Sequence, residues 1–244
     1  VLFPAVGTVK DAKVLHKGKE YALPKHGIIR NNEQLLVGQP APHHLVFSLE
    51  SSVRTKSLYP FDFRFEAHYE LQASSLLMRY RIENRGSEDL YYNAGGHTAY
   101  YCPLDQWQLN DYFIEFPGKN KLIAETLDPE SLLLGYAQRE ISLNNGQLAL
   151  SETTFKRDAL VFADVDCDAV RLARQGEAKG LQVKFSGFPH LALWAKPGAD
   201  YVCIEPWLGL PDRVDAPLEI SEKPNYTKLA AGETQSLLIE TVIE

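Results

Sequence analysis

Methionine occurs once and cysteine three times in these 244 residues. Cys102, Cys167 and Cys203 are odd in number and widely spaced, with no CxxC pair. That excludes an obvious disulfide framework or zinc ladder. The three read as buried small apolar residues in a reducing, cytoplasmic setting. No apolar run approaches the roughly 20 residues that a membrane helix needs. No signal-peptide pattern opens the chain. Positive charge is in deficit: 25 Lys and Arg face 32 Asp and Glu, for a formal net charge of −7. A nucleic-acid partner is therefore disfavoured. There is no GxSxG elbow, and no cysteine has a persuasive partner, so nucleophilic catalysis lacks support. A sustained 3.6-residue periodicity is also missing, which argues against long amphipathic helices.

What the sequence does have is period two. In residues 61–71, Phe61, Phe63, Phe65, Ala67, Tyr69 and Leu71 share one parity, against Asp62, Arg64, Glu66, His68 and Glu70. This alternation predicts a half-buried strand. Residues 76–84 repeat it, and the intervening Gln72-Ala73-Ser74-Ser75 reads as a hairpin loop. Further short strands are expected at 45–50, 91–94, 112–116, 169–173, 181–186, 191–195, 201–205 and 236–243. Turn residues such as Asn84-Arg85-Gly86, Asn144-Asn145-Gly146 and Lys196-Pro197-Gly198 separate many of them. Many short strands between such turns predict an all-β sandwich or barrel. No repeat or linker divides the chain, so residues 1–244 read as one domain. The apolar opening Val1-Leu2-Phe3-Pro4-Ala5-Val6-Gly7 suggests that residues upstream of it are missing.

Three segments carry oddly set polar residues. In Leu23-Pro24-Lys25-His26-Gly27-Ile28-Ile29-Arg30, a His beside a Gly follows a proline-marked turn, where backbone can approach a ligand. Alone, His26 reads as a surface or merely structural residue. In Asn93-Ala94-Gly95-Gly96-His97, two glycines within a strand pattern mark a bulge or a close approach to a ligand. A tight turn leading into core aromatics is the alternative. In Tyr201-Val202-Cys203-Ile204-Glu205-Pro206-Trp207, a carboxylate ends a four-residue apolar run. Burial there is costly unless the group is paired or functional, and desolvation would raise its pKa toward that of a useful general base. The alternative is a Glu that ends an edge strand and points to water.

Together these segments resemble the aldose 1-epimerase (galactose mutarotase-like) superfamily, and its LacX-type branch most closely. The likeness rests on Leu2-Phe3-Pro4, then residues 23–30 as LPxHGxxR, then 95–104 as GGHxxxxCPL, then 203–209 as CIEPWxG. Tyr59-Pro60-Phe61-Asp62-Phe63 adds to it, so nearly the whole chain is spanned in order. The resemblance implies a large antiparallel β-sandwich with an open sugar cleft. It implies His97 as the acid at the ring oxygen and Glu205 as the base at the anomeric hydroxyl. His26 would be a second, charge-stabilising histidine. Asp158 matches a family Asp that binds sugar hydroxyls. Arg30 and Trp207, within the matching motifs, are the further candidates for binding substrate. Family members carry strands ahead of the Leu-Phe-Pro block, and an arginine there, that this sequence does not show.

Mutarotation opens a cyclic hemiacetal and closes it on the other face. One base and one acid suffice, with no cofactor and no metal. The Glu should be ionised and the His protonated, and the two should flank the sugar rather than touch. The expected partner is thus a small sugar, with no nucleic acid or membrane, and the protein a monomer or homodimer. A glycosidase would need two carboxylates, such as Glu205 with Asp212 or Asp158, and would leave both histidines idle. A metal held by His26, His97 and Glu205 has suitable ligand types but no local spacing motif. The pair His43-His44 lies in a Pro-bounded loop and reads as solvated, and His16, His68 and His190 as strand or turn positions. A hexose 6-phosphate is an alternative substrate, with Lys25, Arg30 and Arg213 available to a phosphate. A carbohydrate-binding protein without catalysis is another.

Overall fold

The computed structural model describes residues 1–103, 109–151 and 153–244. Leu104, the last residue of the 95–104 motif, lies outside the described residues. Strand pairings between the named strands are antiparallel throughout. A nine-stranded sheet runs Gln147–Ala149, Tyr112–Glu115, Ala169–Arg174, Gly180–Lys184, Thr234–Ile243, Ser75–Asn84, Phe63–Gln72, His44–Glu50, Leu36–Ala41. A six-stranded sheet runs Leu134–Ser142, Lys121–Leu127, Leu160–Phe162, His190–Trp194, Tyr201–Trp207, Thr98–Tyr101. Two small ribbons pair Lys13–His16 with Lys19–Ala22 and Leu90–Tyr92 with Thr227–Leu229. The one α-helical turn among the described residues, Val53–Lys56, starts at a Ser52 capping box closed by Thr55. Among the described residues no helix is long and apolar enough to cross a membrane.

The period-two signal does what it predicts. Phe63–Gln72 and Ser75–Asn84 form a hairpin with Phe65 opposite Ile82 and Ala67 opposite Tyr80, all four buried. Fully burying a large apolar side chain such as Phe65 or Ile82 contributes about 1.5–3 kcal/mol relative to exposure. The main core joins the two sheets: Phe65 and Ile239 of the larger share a cluster with Leu193 and Ile204 of the smaller. Alternation along the smaller sheet turns Ala192 and Trp207 the other way. There they join Leu2, Val6 and Val161 in a second cluster. That outer face carries the candidate site.

Several strands have no alternation to read. Leu134–Ser142 lies at a sheet edge and buries only Leu134, and Leu36–Ala41 is exposed along most of its length. His44, expected in a solvated loop, instead begins a strand, and its Nε2 meets Nδ1 of His68 at 3.0 Å. Of the cysteines, Cys102 and Cys203 are buried and Cys167 is half-buried.

Candidate active site

Glu205 belongs to Tyr201–Trp207, which is paired on both sides, with His190–Trp194 and with Thr98–Tyr101. An edge position open to water is therefore excluded, and Glu205 is only 2% exposed. Cys203, Glu205 and Trp207 share one face of this strand by alternation. Their partners across the ladder, Trp194 opposite Cys203 and Ala192 opposite Glu205, share it too.

His97 immediately precedes Thr98–Tyr101 and follows the two glycines. Gly95 bridges both Leu2 and Trp207. A Cβ on Gly95 would lie 2.7 Å from Trp207 Cδ1, and one on Gly96 would lie 2.6 Å from Ile239 Cδ1. The close approach that the glycines permit is thus to the protein's own core, not to a ligand. Its effect is to bring the His97 backbone down onto the Glu205 strand, with the Gly96 N–H donating to Pro206 O at 3.0 Å.

His26 has φ +67°, unusual for a residue with a side chain, and Gly27 follows at +76°. A Cβ on Gly27 would sit 2.2 Å from the Phe3 carbonyl oxygen, so only glycine fits. The ring is fixed from the other side. His26 N–H donates to Gly7 O at 2.9 Å, and Gly7 N–H donates to His26 Nδ1 at 3.2 Å. Because Nδ1 accepts, the neutral ring carries its proton on Nε2. Leu2-Phe3-Pro4 is the seam between these parts: Phe3 bridges Gly27 and Leu2 bridges Gly95. The four sequence motifs are therefore neighbours in space.

One cavity of about 160 Å³ gathers all six candidate residues: His26, Arg30, His97, Asp158, Glu205 and Trp207. The His26 and His97 rings meet edge to face at 5.5 Å. Arg30 is exposed at the cavity and has no ion-pair partner among the described residues. Asp158 is half-buried at φ +74°, with its carboxylate accepting the Ala159 N–H at 2.7 Å. Trp194, absent from the expected set, also lines the cavity, its ring 6.3 Å from that of His97. Hairpin pairing of 191–195 with 201–205 around Lys196-Pro197-Gly198 was the available signal for it.

Two expectations are corrected by the geometry. His97 Nδ1 and Glu205 Oε1 approach to 3.3 Å, so acid and base touch. Burial also favours the opposite protonation states of the two groups. Burial raises the Glu205 pKa to about 8 and lowers that of His97 to about 4. Near neutrality the proton therefore sits on the carboxyl group beside a neutral imidazole. Burial lowers His26 further, to about 3, in keeping with its accepting Nδ1. The Trp207 indole N–H is buried without a hydrogen bond of good geometry, yet it faces Glu205 and favours the carboxylate.

The glycosidase alternative loses a carboxylate. Asp212 is buried in an ion pair with Lys223 at 2.5 Å and accepts the Lys10 N–H at 2.9 Å. Arg213 is also engaged, donating to Gly135 O at 2.6 Å and stacking over Tyr136. It is not free for a phosphate. For a metal, His26 is not in the group. His97, Cys203 and Glu205 bring one ligand-type atom each within 4.8 Å of one another.

The family model described as aldose 1-epimerase matches residues 5–227. The plasmid-encoded protein LacX of Lactococcus lactis subsp. lactis is 26% identical over 243 residues, covering 96% of this chain and 81% of LacX. A crystal structure of a galactose mutarotase related enzyme from Lactobacillus acidophilus superposes with a TM-score of 0.92 at 26% identity, over all of this chain and 81% of that one. A galactose mutarotase-like protein from Lactobacillus casei shares the fold, with a TM-score of 0.88 at 21% identity and coverage of 100% and 84%. The chain belongs to the aldose 1-epimerase family.

Proposed function

We propose that this chain is a single-domain, cytoplasmic mutarotase that interconverts the α and β anomers of an aldose by general acid–base catalysis. The observation that carries this is the meeting of Glu205, His97 and His26 in one cavity from three distant parts of the sequence. Glu205 takes the proton of the anomeric hydroxyl while His97 protonates the ring oxygen. The ring opens, the C1–C2 bond turns, and the steps reverse. His26 stays neutral and donates from Nε2 to a sugar oxygen. Asp158 and Arg30 hold hydroxyls, and Trp207 and Trp194 offer apolar faces to the ring.

The contact between His97 and Glu205 suits this chemistry. One proton serves the pair. Moving it across the 3.3 Å gap converts neutral acid and imidazole into carboxylate and imidazolium without solvent exchange. A sugar hydroxyl donating to Glu205 favours the carboxylate, and so charges His97 when substrate is present.

A specific observation favours a second substrate class, the hexose 6-phosphates. A neighbouring cavity of about 610 Å³ shares Leu127, Leu132, Asp158 and Ala159 with the first. It is lined by Arg139, Lys156 and Arg157, none with an ion-pair partner among the described residues. A phosphate on the far end of the sugar would meet these cations.

Polarimetry of freshly dissolved α-glucose, α-galactose and their 6-phosphates tests both. Acceleration of a free sugar supports the first substrate class, and acceleration confined to phosphates supports the second. Sugar binding without acceleration of any of them would leave a carbohydrate-binding protein.

A further inference from the structure

Cys203 takes no part in the proposed reaction, yet it lies on the same strand face as Glu205, two residues away, and is 2% exposed. We propose that His97, Cys203 and Glu205 form a site for a zinc-like divalent cation, and that its occupation switches the acid–base pair off. The inhibitory consequence rests on the function proposed above, whereas the binding itself does not.

The donors suit zinc. An imidazole nitrogen, a thiolate and a carboxylate are ordinary zinc ligands, and the two anions balance the 2+ charge. A thiolate selects against calcium and magnesium, which take oxygen donors. A tetrahedral zinc with bonds of about 2.0–2.3 Å holds its ligand atoms about 3.3–3.8 Å apart. His97 Nδ1 and Glu205 Oε1 stand at 3.3 Å already. All three ligand atoms lie within 4.8 Å of one another, so the thiol has to close by at most about 1.5 Å. Neighbouring groups fix the frame: Cys203 pairs with Ala99 across the ladder, two residues from His97, and with Trp194 on the other side.

Access is also provided. Cys203 and Glu205 are buried, but the His97 side chain keeps 25% of its surface open, and both His97 and Glu205 line the cavity. A water from that cavity completes the shell as the fourth ligand. Lys25 and Arg30 also line it and add positive charge, which Asp158 partly offsets. Binding releases to solvent the thiol proton and the single proton held by the His97–Glu205 pair. With that proton gone and both groups ligating the cation, neither acid nor base is left for the sugar.

The test is zinc titration of the full chain against a chromophoric chelator, with cobalt(II) absorption as a second reading. Expected are one zinc per chain and a thiolate-to-cobalt charge-transfer band. Cys203→Ala should lose the band and weaken zinc binding by more than an order of magnitude, while Cys102→Ala should retain both. Zinc should inhibit anomer exchange in competition with sugar, and the Cys203→Ala protein should resist that inhibition. Should Cys203→Ala fold poorly, Cys203→Ser replaces it. Stoichiometric zinc and a cobalt–thiolate band in a protein that exchanges no anomers would support the site and sink the proposed activity. Absence of the band in the wild type, or equal zinc affinity in the Cys203 variants, would overturn the site.

Discussion

Replacing Glu205 by Gln should make the protein inactive and, at alkaline pH, more stable. Burial raises the carboxyl from its ordinary 4.5 to about 8, so between these values the folded state holds a proton that the unfolded state has lost. Stability then falls as pH rises. His97 and His26 act in the opposite sense. Their pKa values drop from 6.5 to about 4 and about 3, so the unfolded state binds the extra protons up to pH 6.5 and stability rises with pH until then. Below about pH 6.5 the two histidines outweigh the glutamate, and above it, of these three groups, only the glutamate acts. These three groups therefore place a stability maximum near pH 6.5, followed by a loss of about 1.4 kcal/mol per pH unit, or roughly 2 kcal/mol by pH 8. The amide of the variant cannot ionise, which removes that loss. With a urea m-value of about 2–3 kcal/mol/M, the wild-type midpoint should fall by roughly 0.7–1 M relative to the variant's over this interval. Turnover should drop roughly 10²–10⁴-fold, the usual worth of a positioned base, with little change in sugar affinity. Urea midpoints that run parallel for the two proteins from about pH 6.5 to about pH 8 would refute the buried-acid reasoning.

Three other outcomes follow from particular contacts. His97→Asn should reduce turnover by a similar factor of roughly 10²–10⁴ while sugar binding, measured calorimetrically, persists. Trp194→Ala should raise KM more than it lowers kcat, since the indole lines the cavity without a group that transfers protons. Asp212→Ala should cost about 3–5 kcal/mol in chemical denaturation, because it strands the Lys223 ammonium at 1% exposure. An effect under about 1 kcal/mol would show that the lysine finds another partner or water.

The strands with one buried face were legible. Phe63, Phe65 and Ala67 alternate because the core lies on one side only. Leu134–Ser142 was not, because a strand whose two faces are both largely exposed leaves no periodic trace. Glu205 could be singled out from its apolar run. Its contact with His97 could not, because it depends on Gly95 bridging Trp207 and on the register that sets Cys203 opposite Ala99. The two glycines signal a close approach, and its partners are Ile239 and Trp207. Trp194 was missed because its place in the cavity comes from pairing across a hairpin. Arg213 looked free only because Gly135 and Tyr136 are far from it in sequence.

Two-dimensional exchange NMR on an aldose at anomeric equilibrium tests the central claim most directly. With the right sugar or sugar phosphate, cross-peaks between the α and β C1 protons should grow with added protein and vanish with Glu205→Gln. Cross-peaks of equal strength with wild type and variant would contradict a mechanism centred on this carboxylate. So would saturating sugar binding with no exchange at all.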